Sequence, residues 1–124
     1  MSRLQLSING SDFEAAVAFY SRLFGPHAKL RCGYANFAVD DPALKLVLNS
    51  PGNGPGGTIN HLGVEVDSAG DVTQAGTRLA AAGVAVGAEP GAVCCYARQD
   101  KVWAHDPDGV AGEYYTVLEH IEAP

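Results

Sequence analysis

The stretch His61-Leu62-Gly63-Val64-Glu65-Val66 lies over Gln5-Leu6-Ser7-Ile8 when the chain is aligned with itself, and that overlay decides the fold. Leu62, Val64 and Val66 alternate with His61, Gly63 and Glu65, as Leu4, Leu6 and Ile8 alternate with Gln5, Ser7 and Asn9. A period of two is the signature of a strand with one covered face. Each strand leads into a capped helix. Ser11-Asp12-Phe13-Glu14 opens the first and Ser68-Ala69-Gly70-Asp71 the second, both with a side-chain acceptor followed three residues later by an acid. Phe13, Ala16, Val17, Tyr20, Leu23 and Phe24 recur at helical spacing, and Val72, Ala75, Leu79 and Ala82 do so more weakly. Gly25 and Gly83 stand where left-handed caps end helices. The offset is 61 − 5 = 56 at the strands and 83 − 25 = 58 at the glycines, which predicts a two-residue insertion.

Short β-type runs follow each helix: 34–39 and 44–48 in the first half, then 84–86, 93–97, 102–104 and 113–118. Asp106-Pro107-Asp108-Gly109 marks a tight turn before the last strand. The expectation is an α+β fold over residues 1–124. Two βαβββ modules, about 1–50 and about 58–118, are joined by a Gly/Pro linker at 51–57 and form a cup-shaped mixed sheet with helices on its outer face. The aliphatic rows should pack on the helices, leaving Gln5, Ser7, His61, Gly63 and Glu65 to line a cavity.

Composition bounds the function. A chain of 124 residues buries roughly two-thirds of its unfolded surface, enough for one core. With 47% hydrophobic and 18% charged residues it is neither disordered nor membrane-like, and no apolar run approaches the roughly 20 residues of a spanning helix. The net charge of −6 and eight scattered Lys and Arg residues argue against nucleic acid. The N-terminus shows no secretory pattern, and Cys32, Cys94 and Cys95 form an odd set unsuited to a disulfide framework. A cytoplasmic protein with reduced thiols is expected.

By strand parity Gln5 and His61 lie on the non-aliphatic faces of two equivalent strands, where pseudo-symmetry brings them together. A metal there needs an anionic ligand. Glu113, with Tyr115 and Val117 on the same face of the last strand, supplies one; Glu65, two residues beyond His61, competes for that role. One His, one carboxylate and one neutral oxygen donor make a three-ligand face with open positions, an arrangement suited to Fe(II). His27, His105 and His120 sit in loops or near the C-terminus and read as structural or solvated.

Adjacent cysteines on a regular strand point to opposite faces, so Cys94 and Cys95 act jointly only at a bend. Two soft sulfurs there suit a trivalent arsenical, which keeps two exchangeable positions beside its organic group. The plain reading of the pair is two small buried hydrophobes.

The segments Ser2-Arg3-Leu4-Gln5-Leu6, Glu14-Ala15-Ala16-Val17-Ala18-Phe19-Tyr20, Gly33-Tyr34-Ala35-Asn36-Phe37-Ala38 and Asn60-His61-Leu62-Gly63-Val64-Glu65-Val66 together resemble the vicinal-oxygen-chelate superfamily, which includes glyoxalases, bleomycin-resistance proteins and dioxygenases. More narrowly, Cys94-Cys95-Tyr96-Ala97, Gln99-Asp100-Lys101-Val102-Trp103 and Asp106-Pro107-Asp108-Gly109 are similar to the carbon–arsenic lyases and the cadmium-induced proteins. The resemblance implies an Fe(II)-dependent dioxygenase that cleaves the carbon–arsenic bond of trivalent organoarsenicals such as methylarsenite, releasing arsenite. It implies metal ligation by Gln5, His61 and Glu113, arsenic binding by Cys94 and Cys95 as thiolates, and dioxygen as co-substrate. Lys101 and Tyr115 are candidates to orient oxygen or substrate. Where the family usually carries Trp before the glutamate, this chain has Ala111-Gly112, which alters packing at the mouth of the expected cavity. Cys32 has no role in this scheme. A glyoxalase-type isomerase or thiol transferase of the same fold commonly takes a fourth ligand from the first half's last strand, which here offers only Leu44, Lys45, Leu46 and Val47. A sequestration protein that binds cadmium, arsenic or a drug without chemistry is the other reading. Members of the fold often form homodimers, and the glycine-rich linker permits that.

Overall fold

The computed structural model describes residues 2–121; the expected domain's outermost positions, 1 and 122–124, lie outside them. Alternation, caps and turns produce an α+β protein with the order β1 (Arg3–Asn9), α1 (Phe13–Phe24), β2 (Lys29–Arg31), β3 (Tyr34–Val39), β4 (Leu44–Asn49), β5 (Ile59–Glu65), α2 (Ala69–Ala81), β6 (Gly87–Cys94), β7 (Ala97–His105) and β8 (Ala111–His120). The repeat is a βαβββ pattern used twice. Its first part is in strict register, since β5 begins and ends 56 residues after β1 (59 − 3 and 65 − 9) and α2 begins 56 after α1 (69 − 13). The expected pairing of caps is off by one. Asp12, not Ser11, caps α1 by accepting from the Ala15 N–H at 3.1 Å, and Ser68 does the same for Asp71 in α2. Asp12 and Ser68 are again 56 apart, because a carboxylate and a hydroxyl serve equally as N-cap acceptors.

The chain divides into two compact units within β5, one of Arg3–Leu62 and one running on from Gly63 and including Ser2. In the first unit the strands lie in the order β2-β3-β4-β1-β5. β1 pairs parallel to β4 with Gln5 opposite Lys45, while β2, β3 and β4 pair antiparallel, so the sheet is mixed. Ala35, Phe37, Leu46 and Leu48 form the core, closed by Leu6 and Ile8 and by Phe13, Ala16, Val17 and Tyr20 of α1. In the second unit the order is β5-β8-β7-β6, with β6–β7 and β7–β8 antiparallel. A smaller core joins Val72 and Ala75 of α2 to Val102, Val66 and Tyr114.

Several expectations change. Leu6 and Ile8 pack on a helix as expected, but Leu4 and Leu62 are exposed, and the polar row of β1 is the buried one: Gln5 is 4%, Ser7 0% and Asn9 2% accessible. β2 is short and mostly polar, and its sequence carries no alternation. Residues 84–86, expected as a strand, are not one, and β6 begins at Gly87. The expected strand 93–97 is broken after Cys94, because Cys95 and Tyr96, at φ 56° and 60°, form a two-residue turn between β6 and β7. Two consecutive positive φ values make the tight hairpin turn whose twist matches its strands.

Candidate metal and thiol site

Within the first unit, β1 and β5 set Gln5 and His61 together, with Gln5 Nε2 3.2 Å from His61 Nε2. The other ring nitrogen, Nδ1, lies 2.7 Å from Asn60 Oδ1. A histidine held at Nδ1 by an acceptor presents Nε2 as a lone pair, the usual arrangement of a metal-binding imidazole. The amide of Gln5 exchanges its N and O by turning about its last side-chain bond. Two donors about 2.1 Å from one ion at right angles stand about 3.0 Å apart, so this pair is spaced like two neighbouring ligands once Oε1 replaces Nε2. The side chains fit a metal with nitrogen and oxygen preference. On β4, the register partner of Gln5 is Lys45, which is buried.

Within the second unit, β7 and β8 build a buried polar face. Their register sets Trp103 opposite Glu113, Lys101 opposite Tyr115 and Gln99 opposite Val117, and alternation puts all six on one side. Lys101, Glu113, Gln99 and Tyr115 are each 4% accessible or less. The Lys101 ammonium lies 3.1 Å from the Glu113 carboxylate, 5.1 Å from the centre of the Trp103 ring and 5.9 Å from that of Tyr115. Burial opposes its charge, but Glu113 first and Cys94 next outweigh this, so its pKa is raised and it stays an ammonium. The competing carboxylate, Glu65, accepts from the Tyr115 hydroxyl at 3.2 Å.

The turn after β6 supplies the bend that a joint role for the cysteines requires. Cys94 and Cys95 sulfurs are 2.7 Å apart, both are reduced and partly buried, and Lys101 Nζ is 3.8 Å from Cys94 Sγ. The Cys95 thiol is pushed well up, first by its hydrogen bond with Cys94, then by burial and by the charge of Cys94, with Lys101 opposing. The upward shift runs against the expectation that Cys95 stands ready as a thiolate. Cys32 is exposed, in the two-residue turn between β2 and β3, where Gly33 takes φ 70°. His27, His105 and His120 are exposed; His27 packs edge-on to Phe37.

Comparison with known proteins places this architecture. Residues 3–114 match the model of the Glyoxalase/Bleomycin resistance protein/Dioxygenase superfamily. The chain belongs to this superfamily. It is 54% identical to the cadmium-induced protein CadI of Mycobacterium tuberculosis over 98% of this chain and 80% of that protein. It is 48% identical to a trivalent organoarsenical cleaving enzyme of Thermomonospora curvata, over 94% of this chain and 78% of that one. Among solved structures, the Mn(II)-bound glyoxalase of Novosphingobium aromaticivorans shares the superfamily fold, with a TM-score of 0.66 and 21% identity over all of this chain and 43% of that one.

Sequence reasoning passed over two features of the site. Asn60 had no assigned role because its strand parity is opposite to that of His61, yet its side chain bends back to the neighbouring ring. Trp103 was noted only as part of a motif, though it is the cross-strand partner of Glu113 and covers Lys101.

Proposed function

We propose that this superfamily member is an Fe(II)-dependent enzyme that cleaves the carbon–arsenic bond of trivalent organoarsenicals, converting methylarsenite to arsenite with consumption of dioxygen. The observation that carries the reading is the sulfur pair at the β6–β7 turn, one lysine away from a buried carboxylate: Lys101 faces Cys94 Sγ on one side and Glu113 on the other. Relatives named as organoarsenical cleaving enzymes, aligned over most of the chain, support the substrate class. In this reading Gln5, His61 and Glu113 hold the metal. Glu113 is preferred to Glu65 because it is the more buried carboxylate and the one tied through Lys101 to the thiols. Gly63 supports the assignment: it is two residues beyond His61 on the same face of β5, and a Cβ there would collide with the Glu113 carbonyl and Cγ. Bound ferrous iron would supply dioxygen activation at its open positions.

The protein's own groups handle the arsenical. Cys94 and Cys95 replace the two hydroxyl groups of methylarsenite, each As–OH becoming As–S while the thiol proton leaves with hydroxide as water. That exchange consumes neutral thiols, so a raised Cys95 pKa does not oppose it. The organic group remains on arsenic. Lys101 balances the charge of Glu113, and the Trp103 and Tyr115 rings flank the ammonium and limit water around it.

Anaerobic Fe(II) titration tests the metal set, and methylarsenite titration tests the thiols. His61→Ala and Glu113→Gln should lose stoichiometric iron. Cys94→Ser and Cys95→Ser should keep iron and lose arsenical binding. Iron retained by both metal variants, or methylarsenite turnover retained by the double serine variant, would overturn the respective half. A sequestration protein would bind cadmium or arsenite without consuming oxygen, so an oxygen electrode separates the two functions.

A further inference from the structure

The chain of amides beside His61 has a direction at every link. Its origin is the backbone N–H of Asn53 in the inter-module linker, a group that only donates, and which donates to Asn9 Oδ1 at 3.2 Å. That fixes the orientation of the Asn9 amide. Its Nδ2 donates to Asn53 Oδ1 at 3.0 Å and to Thr58 Oγ1 at 2.9 Å. Both acceptors are committed, because the Thr58 hydroxyl proton goes to the Pro55 carbonyl and the Asn53 NH2 goes to the Asn60 carbonyl at 3.1 Å. Asn9 Oδ1 therefore receives the second donor that reaches it, Asn60 Nδ2 at 2.9 Å. With its NH2 used there, Asn60 turns Oδ1 toward His61 Nδ1 at 2.7 Å. Two acceptors cannot face each other at that distance, so His61 carries its proton on Nδ1. Nε2 is left as a lone pair, and the Gln5 NH2 points at it from 3.2 Å.

We infer that Asn9 and Asn60 are positioning residues that hold His61 in the Nδ1–H tautomer, transmitting to Nε2 an orientation set by the linker backbone at Asn53. The inference rests on the metal reading for its purpose, since a ready lone pair on Nε2 is what an incoming cation needs, but its tautomer is a property of the metal-free protein. The site is built for this. Asn9 is 2% accessible, and a Cβ at Gly52 would overlap the Asn9 amide, so the linker's close approach requires glycine there. Gln5 would offer a bound metal Oε1 by turning its amide over, and Asn60 would keep the imidazole in place. A histidine free in water favours the opposite tautomer, Nε2–H, so an Nδ1–H preference has to come from the amides.

Long-range 1H–15N correlation on ring-labelled, metal-free protein, at a pH where the ring is neutral, reads the tautomer directly. The wild-type chain should show His61 Nε2 with the shift of an unprotonated nitrogen. Asn60→Ala should move the majority to Nε2–H, with Gln5 turning to accept. Asn60→Asp, which keeps an acceptor at the same place, should restore Nδ1–H. Asn9→Leu should weaken the preference; should that variant fail to fold, the Asn60 pair decides alone. A wild-type His61 protonated on Nε2, or an unchanged Nδ1–H population in Asn60→Ala, would overturn the inference. Fe(II) binding measured on the same samples separates the two readings. Asn60→Ala should weaken it by about 10-fold to 100-fold, as loss of a histidine's supporting hydrogen bond does elsewhere. A wild-type protein with the Nδ1–H tautomer that takes up no metal at His61 would leave the relay standing and end the metal assignment.

Discussion

Lys101 and Glu113 are a buried ion pair, with side chains 3% and 2% accessible, and such pairs are felt most when one partner is removed. Lys101→Met in the metal-free protein should cost on the order of 3–5 kcal/mol in urea unfolding, and adding Glu113→Gln to it should recover a large part. A double variant no more stable than the single one would mean that the carboxylate is held by other groups. Cys95 gives a second residue-level prediction. Its folded pKa is raised above that of an ordinary thiol, so the unfolded chain loses this proton at a lower pH than the folded one. The associated stability is fully present below about pH 9 and falls as pH rises beyond it. Comparing denaturation midpoints from pH 7 to 10.5, Cys95→Ser should show a shallower alkaline decline than the wild type; equal slopes would refute the shift.

At the scale of elements, the strands show what was legible and what was not. Period-two alternation located β1 and β5, and short β-type runs located β3 and β4, whose successive residues are mostly buried. The same reading missed β2, whose Lys29-Leu30-Arg31 has no apolar row, and misplaced β6, whose exposed Gly87-Ala88-Glu89-Pro90 reads as a loop. It placed Leu6 and Ile8 against a helix but did not foresee the exposure of Leu4 or the full burial of Ser7 and Asn9, which are hydrogen-bonded: the Ser7 hydroxyl accepts from Asn49 at 2.7 Å. The turn at Cys95-Tyr96 escaped because neither residue is a usual occupant of positive φ, where an L side chain costs on the order of 1–2 kcal/mol. Replacing Tyr96 by Gly should therefore leave the hairpin as stable or more so despite the lost ring, as thermal unfolding would show; a loss above about 1 kcal/mol would mean that Tyr96 packing outweighs its backbone cost. On β5, Gly63→Ala places a methyl against the Glu113 backbone. It should destabilise by about 1–3 kcal/mol and lower iron affinity with it. Unchanged iron binding in that variant would argue against Glu113 as the carboxylate ligand.

For the molecule as a whole, the internal repeat carried most of the fold, since a single offset of 56 residues relates β1 to β5, the two N-caps and the starts of both helices. The site was less legible. Gln5, His61 and Glu113 were expected as ligands from parity, chemistry and resemblance, but their neighbours were not foreseen: Asn9, Asn53 and Asn60 around the imidazole, Lys101 and Trp103 around the carboxylate. Their roles depend on hydrogen-bond direction, which no periodicity records. Of the two compact units, the one of Arg3–Leu62 carries an amide and an imidazole, and the one running on from Gly63 carries a carboxylate and a pair of thiols. The proposal that these parts serve one reaction is tested most directly by loading the protein anaerobically with Fe(II), adding methylarsenite, admitting oxygen, and following arsenic speciation against oxygen uptake. Arsenite should accumulate as oxygen disappears, and neither change should occur without iron; methylarsenite bound by the protein but recovered intact, with no oxygen consumed, would contradict the account.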